Sequence, residues 1–200
     1  DPLVQRMAPK LISSLDRAIR LCADTLKFGR AKEAEPVRAM CRFRPLAEEV
    51  GDALGLSGKA CAIAWKVDVP QSLEADIDRD QFYRILTNLC RNAMQAVEAK
   101  HGGSNPRITV SAKRKGAVVT ITVTDSGPGV PEKARAHLFE PFQGSARKGG
   151  TGLGLAIAAE LVHAHGGDIA LDDGAPGATF RITLPDQVVE LHKTRKSASA

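Results

Sequence analysis

The sequence predicts an α+β domain in which helices cover one face of a mixed sheet, a two-layer α/β sandwich. Three observations predict it. The 200 residues are 43% apolar and 26% charged, which suits one generous domain with a smaller appendage. Stretches with helical and with alternating periodicity are interleaved rather than segregated. From residue 45 onward the order reads helix, strand, helix, strand, strand, loop, helix, strand, strand.

Residues 8–29 form an amphipathic helix. Ile12, Ile19 and Leu26 are seven apart, and Ala8, Leu15 and Cys22 fill the second seam position. This is about three heptads, suited to a helical bundle. Residues 1–30 are thus expected to be a bundle helix and 31–44 a charged linker. Pro45 opens a helix to Leu54, ended by the glycines at 55 and 58. Ala60–Val67 suits a strand, and Asp80–Lys100 a long helix. Arg107–Lys113 and Ala117–Thr124 are strands joined by a turn at Lys115-Gly116. Residues 125–151 are rich in glycine and proline, and a loop so long usually has a function. Gly152–His165 is helical, with Gly166-Gly167 as the stop. Asp168–Asp172 and Ala178–Leu184 make the last strand pair. The domain is expected to span 45–185, with 186–200 a frayed basic tail.

The formal charge is +5, but the basic residues are scattered and aromatics are only 4%. No nucleic-acid partner is expected from that pattern. Cys22, Cys41, Cys61 and Cys90 form no CxxC pair, so packed, reduced thiols in a cytosol are expected. No run approaches the ~18 apolar residues of a membrane span. The chain begins at Asp1 on an already helical pattern, which reads as a segment of something longer.

Wound at about 100° per residue, the helix from Asp80 divides sharply. Gln81, Arg84, Asn88, Arg91, Asn92, Gln95 and Ala99 share a polar face. Phe82, Ile85, Leu86, Leu89, Cys90, Ala93, Ala96 and Val97 face a core. A solvated outer face would also be polar. Such faces prefer Lys and Glu, however, and Asn is a mediocre helix former. Asn88 and Asn92, one turn apart, point their amide oxygens one way and could hold Mg2+ with its waters. Arg91 could meet phosphate oxygens.

Two glycine clusters flank the long loop. Asp125-Ser126-Gly127-Pro128-Gly129 follows a strand end. Its glycines permit a close backbone approach, and Asp125 offers an acceptor to an exocyclic amine. A plain turn would look similar. Gly149-Gly150-Thr151-Gly152-Leu153-Gly154 opens the next helix. Unpaired amides and the positive dipole end there form an anion site, to which Lys148 adds a charge. Neither the Walker pattern nor the Rossmann fingerprint occurs.

Together these motifs resemble the catalytic domain of sensor histidine kinases, within the superfamily of gyrase, Hsp90, histidine kinase and MutL. Asn88-Leu89-Cys90-Arg91-Asn92-Ala93 is similar to the asparagine box. Asp125–Gly129 resembles the first glycine box, Leu138-Phe139-Glu140-Pro141-Phe142 the F-box, and Gly150–Ala156 the second glycine box.

The resemblance implies the Bergerat ATP-binding fold, with ATP and Mg2+ as ligands. Asp125 would then accept from the adenine amine, and Gly127 and Gly129 would shape its pocket. Asn88 and Asn92 would hold Mg2+ and phosphates. Thr151, Gly152 and Gly154, with Lys148, Gly150 and Leu153, would cradle the phosphates. Residues 130–150 would form a lid tethered by Phe139 and Phe142. Family members often carry Lys or Arg, then an aromatic, where this chain has Gln95 and Ala96. Arg91 would supply that charge from a neighbouring position.

Hydrolases of the superfamily carry Glu where this chain has Asn88, and an amide takes up no proton near neutral pH. That favours a phosphoryl group passing to another acceptor, and the resemblance implies that this acceptor is a histidine. The histidines at 101, 137, 163, 165 and 192 sit in no acceptor box, so the acceptor helix is expected outside these residues and the chain alone should not autophosphorylate. His163 and His165 read as helix-end residues. Residues 1–30 would be the second helix of the dimerisation and phosphotransfer hairpin. The implied partners are a second copy, the acceptor helix and a response-regulator receiver domain. The implied setting is cytoplasmic, with membrane anchoring of the full-length protein left open. An ATP-switched binding module and an anti-sigma-type serine kinase are the alternatives.

Overall fold

Strands that alternate apolar with polar residues must bury one face, and the helices between them supply the cover. A computed structural model describes residues 35–58, 61–99, 105–142, 152–172 and 177–185, together with Met7, Ala8, Leu11, Ile12 and Leu15. Along the chain lie β1 (Ala39–Arg42), α1 (Phe43–Ala53), β2 (Ala64–Asp68), β3 (Glu74–Ile77) and α2 (Arg79–Ala99). They are followed by β4 (Arg107–Lys115), β5 (Val118–Asp125), the single-turn α3 (Glu132–Arg135), α4 (Gly154–Ala164), β6 (Asp168–Asp172) and β7 (Thr179–Pro185).

The main sheet runs β2-β4-β5-β7-β6. Only the β2–β4 pair is parallel; the other three are antiparallel. Along β5, Val119, Ile121, Val123 and Asp125 are buried while the threonines between them are partly exposed. On that outer face hydroxyls pair across strands, Ser111 with Thr122 at 2.6 Å and Thr124 with Thr179 at 3.1 Å. The inner face packs under α1, α2 and α4 in one core that includes Phe43, Phe82, Leu86, Leu161 and Phe180. The expected two-layer α+β sandwich is the observed architecture.

Three elements escape the sequence reading. β1 and β3 form a separate antiparallel ladder, Ala39 opposite Ile77 to Arg42 opposite Glu74. Each has four residues, too few for alternation to show. The turn α3 lies in the stretch read as loop. Helix α1 begins at Phe43, two residues before Pro45; proline is tolerated there because the first turn has no intrahelical acceptor for its amide. Gln81, placed on the polar face, is 8% exposed. It sits in the first turn of α2, where a helical wheel cannot foresee what packs around a helix end.

Met7, Ala8, Leu11, Ile12 and Leu15 are helical, and Met7, Leu11, Ile12 and Leu15 are exposed. The rest of the 1–30 helix and the 186–200 tail lie outside the described residues. No helix among the described residues is long and apolar enough to cross a membrane.

Candidate functional site

Helix α2 carries the two asparagines because its opposite face is anchored. All eight residues assigned to its core face, Phe82 to Val97, are buried. Asn88 and Asn92 are partly exposed and Arg91 is exposed. Cys90 lies between them on the buried side, and burial pushes its thiol up to about 12. It is a packed, protonated side chain.

Helix α4 begins opposite Asn88. A Cβ built on Gly154 would stand 3.6 Å from the Asn88 Oδ1. Leu153, at the cap position, is fully buried and provides no side-chain hydrogen bond to the helix start. The leading amides of α4 are thus left without a cap from Leu153, at the positive end of the dipole. Gly152 has φ 73°, a left-handed turn that swings the chain into the helix. Asn88 and the start of α4 therefore frame one place with an amide oxygen on one side and N–H donors on the other. Lys148, Gly150 and Thr151 lie outside the described residues.

Asp125 ends β5 on the helix side of the sheet and is 3% exposed. Its Oδ1 accepts the amides of Gly127 at 2.8 Å and Ala178 at 3.3 Å. Gly127 has no room for a side chain: a Cβ would meet the Ala96 backbone at 3.0 Å and Asp125 Oδ1 at 2.8 Å. The first glycine box is thus pressed against α2 one turn beyond Asn92. A Cβ on Gly129 would meet the Gly177 carbonyl oxygen at 3.0 Å.

The sequence reading missed Gly177 and Ala178, which close the other side of Asp125. The Asp125 amide donates to the Ala178 carbonyl at 2.9 Å. The usable signal was the glycine just before the last strand, where only a residue without Cβ allows such an approach.

Leu138 and Phe139 are partly buried, and the Phe139 ring meets Phe180 edge-on at 6.4 Å. Phe142 is 50% exposed at φ 68°, and its amide donates to the Gly152 carbonyl at 3.0 Å. Phe139 anchors this stretch to the core. Phe142 joins it through the backbone, to the glycine that leads into α4. No cluster of three or more His, Cys, Asp or Glu suited to a metal occurs among the described residues.

Comparisons agree with this arrangement. Residues 77–188, more than half of the chain, match the family model described as histidine kinase-, DNA gyrase B-, and HSP90-like ATPase. The nitrogen regulation protein NtrY of Azorhizobium caulinodans is 37% identical over 142 residues, covering 69% of this chain and 18% of its own length. The sensor histidine kinase MtrB of Mycobacterium tuberculosis is 34% identical over 207 aligned positions, covering 98% of this chain and 35% of its own length. The chain thus spans about a fifth to a third of such relatives.

Among solved structures, the catalytic domain of histidine kinase ThkA superposes with TM-score 0.65 at 26% identity, covering 74% of this chain and 95% of that one. Full-length ShkA in complex with AMPPNP gives TM-score 0.73 at 28% identity, covering 91% of this chain and 38% of that one. With residues 77–188 matching that family model, Asn88 facing the start of α4 and the first glycine box seated against α2, the chain belongs to the histidine kinase-, DNA gyrase B- and HSP90-like ATPase family.

Proposed function

We propose that this chain is the nucleotide-binding and catalytic portion of a sensor histidine kinase, which presents the terminal phosphoryl group of ATP to a histidine. The observation that carries the reading is the pairing of Asn88 with the start of α4. An amide, and not a carboxylate, stands where phosphate would lie, so no group there can take a proton from water. What such a site can do is position and neutralise a phosphoryl group on its way to another acceptor.

In this reading the buried Asp125 carboxylate accepts from the adenine amine, and the turn at Gly127 and Gly129 shapes the base pocket. The α4 amides from Gly154, with Gly152 and Leu153, take the phosphate oxygens; Lys148, Gly150 and Thr151 would complete that cradle. Asn88 and Asn92 would hold Mg2+, a hard cation suited to amide oxygens and water, which neutralises phosphate charge when bound. Arg91, exposed on the same helix, would add positive charge toward the phosphates. Residues 130–150 would act as the lid.

The exposed apolar positions Met7, Leu11, Ile12 and Leu15 support a bundle helix that pairs with a second copy and with the acceptor-bearing helix. A response-regulator receiver domain would then take the phosphoryl group; the solved complex of ThkA with the response regulator TrrA supports that partner. The free thiols of Cys41, Cys61 and Cys90 suit a reducing, cytoplasmic setting.

The test mixes the chain with Mg-ATP and a separate helical hairpin carrying an acceptor histidine. Acid-labile phosphohistidine on the hairpin is the expected product. Tight nucleotide binding with no phosphohistidine, or with phosphoserine instead, would overturn the proposal.

A further inference from the structure

Helices α2 and α4 pass each other in opposite directions, and their far ends are tied. The Asp78 amide donates to His165 Nε2 at 3.0 Å. A backbone N–H is a donor only, so Nε2 is the bare nitrogen. Nδ1 therefore carries the proton and donates to the Leu161 carbonyl at 2.8 Å. The imidazole is completely buried and meets the Phe82 ring edge-on at 5.0 Å. Asp78 also caps α2: its Oδ1 accepts the amides of Asp80 and Gln81, each at 3.1 Å.

Asn88 lies ten residues beyond Asp78, and Gly154 eleven before His165. At about 1.5 Å per residue the two segments span about 15 and about 16.5 Å, nearly the same length. The His165–Asp78 tie therefore fixes the register that brings Asn88 opposite Gly154.

The chain entering the domain joins the same tie. The Val37 amide donates to Asp78 Oδ2 at 2.9 Å. The Arg38 guanidinium donates to the carbonyls of His165 at 3.0 Å, Asp76 at 3.0 Å and Pro185 at 3.4 Å, and pairs with the Asp76 carboxylate at 3.4 Å. The cation sits at the C-terminus of α4 and the carboxylate of Asp78 at the N-terminus of α2, each where the helix dipole favours it. Packing alone would be served by an apolar ring; a buried imidazole with both nitrogens used specifies a geometry.

We infer that His165 is a positioning residue for the phosphate end of the nucleotide site, setting the Asn88–Gly154 spacing through Asp78, and that Arg38 and Val37 couple the entering chain to it. The inference rests on the nucleotide reading above. A shift of residues 37–38, as when the preceding segment moves, would then be felt at the phosphates and not at the adenine.

The test titrates the chain with adenosine and with an Mg-bound non-hydrolysable ATP analogue, followed by amide chemical shifts. His165→Phe keeps the ring and removes both hydrogen bonds. It should weaken the ATP analogue about tenfold and leave adenosine within about twofold. His165→Gln keeps an acceptor for the Asp78 amide and should recover part of the loss. Arg38→Gln, which leaves the core ring intact, should cost the analogue about threefold with adenosine unchanged; it decides the matter if His165→Phe does not fold. Equal losses for both ligands, or none in the folded variants, would overturn the inference alone. A native chain that binds neither ligand would overturn the nucleotide reading and this inference with it.

Discussion

At Asp125, binding and folding can be separated by one substitution. Its Oδ1 already serves two protein amides, from Gly127 and Ala178. Asp125→Asn can keep both bonds through its remaining oxygen while turning the other atom into a donor, which opposes an amine. ATP affinity should fall by about ten- to a hundredfold with little change in melting temperature; unchanged affinity in calorimetry would contradict the adenine assignment.

Asn92→Ala makes a different cut: Mg-ATP should weaken far more than metal-free ATP, and equal losses would mean that Asn92 only packs. Gly177→Ala belongs to stability. Its Cβ would stand 1.9 Å from the Asp125 carbonyl oxygen at a φ of 104°. The backbone must move, at a cost of about 2–4 kcal/mol in urea unfolding.

Two helices carry the Asn88–Gly154 side of the candidate site, and both are anchored in the core. Helix α2 buries a continuous apolar side that includes Cys90. With its thiol pushed up to about 12, Cys90 is neutral and shielded. It should resist thiol reagents in the native chain and label only after unfolding; rapid labelling would mean that α2 detaches readily. Burial also raises the half-buried Cys41 thiol, so reactivity there should be low as well. Helix α4 is short and apolar on most sides, with Leu153 and Leu161 completely buried. Its leading amides, which the Leu153 side chain does not cap, are therefore held in place by core packing.

Across the domain, acid should loosen the fold through the His165 cluster. Burial, the largest influence, lowers the His165 pKa from its ordinary 6.5. The unfolded chain then takes up a proton first, so this contribution to stability is present above 6.5 and is lost as pH falls below it toward the lowered value. Burial would raise the Asp78 carboxyl, but the amides of Gln81, Val37 and Asp80 outweigh it and hold the group below 3.8. Its contribution is present above 3.8 and lost as pH falls through the lowered value. Both act in one direction, in two windows. Melting temperature should drop on acidification below about 6.5, and His165→Phe should flatten that first drop. An equally steep drop in the variant would place the titrating group elsewhere.

The amino-acid order was enough for the layers, the core face of α2, the β4–β5 hairpin and the tight approach of Gly127 to α2. These rest on local periodicity and on residue types that backbone geometry demands. A strand of nine residues or a helix of twenty-one repeats its pattern often enough to be read. The β1–β3 ladder was not legible, since four-residue strands are selected by their partner. Nor were the Gly177–Ala178 wall beside Asp125 and the tie from Arg38 through His165 to Asp78. Those contacts join residues 53, 127 and 87 positions apart. Periodicity carries no information about such distances. The histidine that reads as a mere helix end became a buried spacer only when the chain folded α4 back onto the start of α2.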